Sequence, residues 1–138
     1  RTGSFLLNDT KKFYKHFEIL KEKTRMYDIF GKFSIIIFER MSLGIVENIY
    51  LNQPTIFYYP KKLYQFKNKN YKDLSNLLKK ANILFDDKKK IEEIISSKKN
   101  ISEWWFDNKN MQIRKKIMLK YANVFKYEDL KMMKRSFK

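Results

Sequence analysis

The sequence predicts an α/β fold: a mainly parallel sheet of few strands, flanked by helices and finished by a helical C-terminal segment. Three observations point there. Phe33-Ser34-Ile35-Ile36-Ile37-Phe38 is apolar almost throughout rather than alternating, the pattern of a strand covered on both faces. A helical segment and a second β-rich run, Thr55-Ile56-Phe57-Tyr58-Tyr59, follow at a spacing slightly shorter than the ~30 residues usual for a βαβ unit. Helical periodicity and short apolar runs then alternate almost to the end of the chain.

Taken in order, Phe5-Leu6-Leu7 reads as a strand end, and Asn8-Asp9-Thr10 offers a helix N-cap. Phe13, Phe17 and Leu20 share one face of a helix spanning 10–27, with Gly31 as its stop. After the strand at 33–38 comes a polar turn, Glu39-Arg40-Met41-Ser42, and a helix over 43–51 with Val46, Ile49 and Tyr50 apolar. Pro54 ends that helix, because the residue before a proline is disfavoured in the α region. The second strand closes at Pro60, and a basic, polar loop runs to Asn70. Tyr71, Leu74, Leu77 and Leu78 mark the next helix, and Asn82-Ile83-Leu84-Phe85 a short third strand. Asp86-Asp87 opens a helix whose core stripe is Ile91, Ile94 and Ile95, its acids placed at the positive end of the helix dipole. A short helix over 101–106 holds Trp104 and Trp105, which we expect to clasp the terminal helices to the sheet. A longer helix from Asn110 to about Phe125 turns Ile113, Ile117, Met118 and Tyr121 inward.

Composition narrows the function classes. With 138 residues, 43% of them hydrophobic, the chain reads as one domain or a small fragment and not as a disordered tail. Zero cysteines exclude disulfides and a thiolate zinc site, and a single histidine, His16, excludes a multi-His metal site. No Ser or Asp stands at a recognisable spacing from His16 for nucleophilic catalysis, so it reads as a helix-surface residue. No apolar run reaches the ~20 residues of a membrane span. The first residue is Arg, and three strands are few for such a sheet, so we expect the chain to be the later part of a longer protein or to have lost its start to processing. The net charge of +16 suggests a polyanion partner. Yet Lys, Asn, Ile, Phe, Tyr and Met, all with A/T-rich codons, fill well over half of the chain, while Gly, Ala, Arg and Pro are scarce. An A/T-rich genome accounts for much of the lysine excess.

In open parallel sheets ligands bind outside the carboxyl ends of the strands. Two segments satisfy that condition: Glu39 to Glu47, and Tyr58-Tyr59-Pro60. Ser42-Leu43-Gly44 falls where a helix begins, so its free amides and the helix dipole suit a phosphate, and Gly44 would let a ligand approach the backbone. Glu47, one turn further, could accept hydrogen bonds from paired sugar hydroxyls. The local alternative is that Ser42 or Gly44 is a cap and Glu47 complements the dipole.

The run Glu39-Arg40-Met41-Ser42-Leu43-Gly44-Ile45-Val46-Glu47, followed by Asn52-Gln53-Pro54-Thr55-Ile56, resembles the second domain of GT-B-type glycosyltransferases. It is most similar to a family of bacterial surface-carbohydrate transferases. That family's pattern is an acidic residue, a Thr-rich turn, a Glu eight positions after the acid, then Asn-x-Pro-Thr and a strand. The likeness extends through Tyr59-Pro60, the segment Leu77 to Phe85 and Ser102-Glu103-Trp104-Trp105. This chain departs from the pattern with Glu39 in place of the usual Asp, and with Leu43 and Gly44 in place of the Thr pair, leaving Ser42 and backbone amides for a phosphate.

The resemblance implies a Rossmann-like half of a GT-B fold. Residues 1–100 would form a partial nucleotide-sugar-binding domain and 101–138 the helices packed on it. It implies transfer of a sugar from a nucleotide-activated donor to a surface glycan, with Glu39, Ser42, Leu43, Gly44, Glu47 and Tyr59 binding the donor. No metal or cofactor is implied. The acceptor and the catalytic base would belong to an N-terminal domain of the same protein. A cytoplasmic setting, peripheral to an anionic inner membrane face, completes the expectation. The rival is a non-enzymatic basic module for nucleic acid or an anionic membrane. Tyr58, Tyr59, Tyr64 and Phe66 among Lys61, Lys62, Lys67 and Lys69 imitate a single-strand nucleic-acid platform, against the plainer reading of a solvated loop at a cleft mouth.

Overall fold

A computed structural model describes residues 26–60 and 69–121. The elements in order are α1 (Met26–Ile29), β1 (Ile36–Phe38), α2 (Leu43–Tyr50), β2 (Thr55–Tyr58), α3 (Lys69–Lys80), β3 (Leu84–Phe85), α4 (Lys88–Ile95), α5 (Lys98–Trp105) and α6 (Asn108–Tyr121). The expected strand end at 5–7, most of the helix over 10–27, His16, and Tyr64, Phe66, Lys61, Lys62 and Lys67 lie outside the described residues.

The sheet runs β1-β2-β3 with every neighbour parallel, as the continuous apolar runs predicted. Ile37 stands opposite Ile56, Phe38 opposite Phe57, and Phe57 opposite Leu84. Both sheet faces are covered. Phe57 and Leu84 point to one face, where they pack with Ile45, Val46 and Ile49 of α2, Leu74 and Leu78 of α3, Trp105 and Ile117. Ile56 and Tyr58 point to the other, joining Ile91 of α4 with Ile35, Ile37, Phe85, Ile94 and Ile95 around them. A strand of Thr, Ile, Phe and Tyr, buried throughout, suits this two-sided position because β-branched and aromatic side chains pack well on a pleated surface.

The strands are shorter than the apolar runs. Of 33–38 only the last three residues pair. The preceding turn contains Gly31 at φ 74, a left-handed conformation that favours glycine. Buried Gln53 holds that turn, donating from Nε2 to the Phe33 carbonyl (3.0 Å) and accepting at Oε1 from the Gly31 N–H (3.3 Å).

Both crossover helices, α2 and α3, end in the same way. Asn52 (φ 56) and Asn82 (φ 52) take the left-handed conformation just past the last turn. The Asn52 N–H donates to the Ile49 carbonyl and the Gln53 N–H to Asn48; the Asn82 N–H donates to Lys79 and the Ile83 N–H to Leu78. These are Schellman closures with asparagine in the place glycine most often takes. The next two helices, α4 and α5, start on side-chain caps: Asp87 accepts from the Lys89 N–H (3.0 Å) and Ser97 from the Asn100 N–H (3.0 Å).

All four residues expected inward on α6 meet the core, Ile117 wholly and Ile113, Met118 and Tyr121 in part, but Asn110 and Arg114 are buried there as well. The reason is the spacing 110, 114, 117 and 121, a single helical stripe that places one asparagine and one arginine against the core.

Candidate functional site

Glu39, Ser42, Leu43, Gly44, Glu47 and Tyr59 gather at the carboxyl edge of the sheet, where β1 hands over to α2 and where β2 ends. Ser42 is the N-cap of α2. Its backbone is extended (φ −147, ψ 148), and its Oγ accepts the Gly44 N–H at 3.1 Å. Its carbonyl accepts the Ile45 N–H at 3.2 Å. Capping therefore occupies two of the first-turn amides, and the Leu43 N–H makes no hydrogen bond among the described residues. Ser42 and Leu43 are exposed to solvent at this helix start.

Gly44 is half-buried, and a Cβ added to it would lie 3.2 Å from the Phe38 ring. The lack of a side chain lets α2 begin directly against the last residue of β1. Glu47 lies one turn further along, half-buried, three residues after Gly44 and four after Leu43, hence on the same side of the helix. Glu39 is half-buried immediately after β1, followed by exposed Arg40. Tyr59 leaves β2 with its N–H bonded to the Phe85 carbonyl (2.9 Å) and its ring packed 5.4 Å from that of Phe57. Tyr58 is buried in the core, and this removes it from the aromatic platform on which the nucleic-acid reading drew.

Two residues of this edge were not singled out by the sequence. Arg40 was read as part of a polar turn, and Asp86 as a helix-start acid. The register Tyr58 opposite Phe85 brings Asp86 beside Tyr59, on the same rim as Glu39. Their signal was position: both directly follow a strand's carboxyl end. Among the described residues no cluster of His, Asp or Glu could hold a metal ion, and no helix is long and apolar enough to cross a membrane.

The amino edge is built differently. Trp105 is wholly buried and donates from Nε1 to Asn52 Oδ1 (2.9 Å); its neighbour Trp104 donates from Nε1 to the Asn82 carbonyl (2.8 Å). Asn82 Nδ2 donates to Asn110 Oδ1 (3.1 Å), and Asn110 Nδ2 to the Trp104 carbonyl (3.2 Å). The Arg114 guanidinium lies 3.8 Å over the Trp105 ring. Burial lowers its pKa to about 10, with Asp107 pulling it partly back. This edge is a closed polar lattice that serves packing.

A parallel sheet with helices on both faces, and a capped, solvent-facing helix start at its carboxyl edge, defines a Rossmann-like α/β protein. The chain belongs to the LIC12162 family of transferases, whose family model matches residues 3–137. Comparison with curated proteins and with solved structures found no match.

Proposed function

We propose that this chain is the donor-binding part of a GT-B-type glycosyltransferase that moves a sugar from a nucleotide-activated donor to a surface glycan. The observation that carries the reading is the start of α2: an exposed helix N-terminus directly off the carboxyl end of a parallel strand, with half-buried Glu47 one turn inside. Membership of a transferase family supports it, as does the resemblance of the 39–56 segment to GT-B donor domains.

In this reading the Leu43 amide, the Ser42 hydroxyl and the positive end of the helix dipole face the donor diphosphate. Arg40 adds a full positive charge on the same rim. Glu47 accepts hydrogen bonds from hydroxyls of the ribose or the sugar, and Glu39 and Tyr59 border the same space. When the acceptor hydroxyl attacks the anomeric carbon, the bond from that carbon to the diphosphate oxygen breaks and negative charge collects on the departing phosphate. Donors fixed in place before that moment stabilise the charge without reorganising. The acceptor and the base that takes its proton come from outside these residues, from an N-terminal domain.

The test is calorimetric titration of the full-length protein with a panel of nucleotide sugars. Glu47→Ala should weaken the preferred donor by at least about tenfold, the scale of one lost charge-assisted hydrogen bond. Unchanged affinity would remove Glu47 from the site.

A further inference from the structure

We propose that the outer face of the α3–α6 pair is a docking surface for an anionic lipid bilayer. The inference starts from where the charge lies. Codon bias can enrich lysine everywhere on a surface, but it does not sort acids away from one side. Here they are sorted. Helices α3 and α6 together expose eight lysines and carry one acid, Asp73, which is already paired with Lys120 at 3.6 Å. By contrast α4, across the sheet, and α5, at its amino edge, carry five lysines and three acids, Glu92, Glu93 and Glu103; of the acids just before a helix, Asp86 and Asp87 precede α4 and Asp107 precedes α6.

The basic face is also rigid. The two helices run antiparallel and are fastened at both ends: the Tyr121 hydroxyl donates to the Asn70 carbonyl (3.4 Å), and Asn82 Nδ2 donates to Asn110 Oδ1 (3.1 Å). Each is about 20 Å long at 1.5 Å per residue, and packed helices lie about 8–10 Å apart. Opposite the buried stripe of α6 stand Lys115, Lys116 and Leu119; opposite that of α3 stand Lys69 and Lys80, with Lys72 and Lys79 on its flank. The result is a fixed cationic strip.

Leu119 selects the kind of partner. It is 82% exposed, set between lysines on the crest of the strip. Against a nucleic-acid backbone such a side chain has nothing to contact. Against a bilayer it enters the interfacial region while the lysine stems lie along the surface and their ammonium groups reach the headgroups. Charge type agrees. Every exposed cation on the strip is lysine, while Arg114, whose fork would read bases or clamp phosphates, is turned inward onto Trp105. The surface shares no residue with the sheet's carboxyl edge, so it stands or falls apart from the donor-site reading.

The experiment is co-sedimentation of full-length protein with phosphatidylcholine vesicles, with and without phosphatidylglycerol. Binding is expected only with the anionic lipid. A lysine near such a surface is worth roughly fivefold in affinity. Changing Lys69, Lys80, Lys115 and Lys116 together to Glu should therefore lower binding by at least about 100-fold. Changing Lys89, Lys90, Lys98 and Lys99 to Glu alters net charge equally and should cost no more than about threefold, since those residues face away. Leu119→Ala, at a largely solvated site outside the core, should weaken vesicle binding about fivefold and leave any binding of duplex DNA or single-stranded RNA unchanged. Equal losses from the two quadruple variants, no binding of the wild type to anionic vesicles, or an unchanged Leu119→Ala would each overturn the proposal. So would RNA displacing the protein from vesicles at equal phosphate concentration.

Discussion

The two edges of this sheet use their polar groups to opposite ends. At the amino edge, Asn52, Asn82, Asn110, Trp104 and Trp105 satisfy one another, and the indole N–H groups meet the two asparagine-closed helix ends. At the carboxyl edge, Ser42 caps one helix turn and leaves its surroundings open to solvent. Polar groups that consume each other hold a fold together; polar groups that face water at a helix start are available to something else. The contrast explains why clusters of Asn and Trp are not by themselves evidence of a site.

Substitutions should separate the edges by what they disturb. The largest stability loss should come from Trp105→Ala, which empties the centre of the core and frees Asn52. About 3–5 kcal/mol is expected from urea denaturation, and a loss under ~1 kcal/mol would mean that the ring is not the anchor described. Next is Asn52→Ala, which puts a Cβ-bearing residue without a local polar partner at φ 56 and strips the Trp105 indole of its acceptor. About 2 kcal/mol should be lost. Asn52→Gly should recover the backbone part alone and fall between alanine and the wild type. Ser42→Ala should cost about 1 kcal/mol through loss of the cap. Smallest in stability, within ±0.5 kcal/mol, should be Arg40→Ala, because an exposed charge contributes little to folding. Its effect belongs to ligand binding: nucleotide-sugar affinity should fall with a reduced salt dependence. If Arg40→Ala destabilised the protein as much as Asn52→Ala, the two edges would not differ as described.

Much of the architecture was legible because it follows from hydrophobic pattern. The apolar runs gave parallel strands buried on both sides, and their order gave the βαβ unit. The Trp pair read as a clasp, which it is. Element ends were less legible. The strand at 33–38 shortened to 36–38 because Gln53, distant in sequence, pulls residues 31–33 into a turn. The α6 helix begins at Asn108 rather than Asn110 because Asp107 Oδ1 accepts the Asn110 N–H at 3.0 Å, making Asp107 the cap. Burial of Arg114 was invisible to a reading that sends charged residues outward; only its seat over Trp105 accounts for it. At the candidate site, position was readable from strand ends. The state of individual amides was not, since Ser42 capping Gly44 is a matter of rotamer and φ, not of composition.

Asn48 stands apart from both edges. It is 1% exposed, and its Nδ2 has no hydrogen-bond partner among the described residues, although its backbone carbonyl closes α2.

The Trp105–Asn52 bond joins residues 53 positions apart, and it bears on how the protein can be cut. Trp105 and Ile117 belong to the same buried cluster as Ile45 and Leu78. A truncation placed after residue 97, tempting as a minimal ligand-binding fragment, would strip the tryptophan from its asparagine and lay a greasy wall bare to solvent. Such a fragment should aggregate on expression, whereas one that runs through Tyr121 keeps the wall covered.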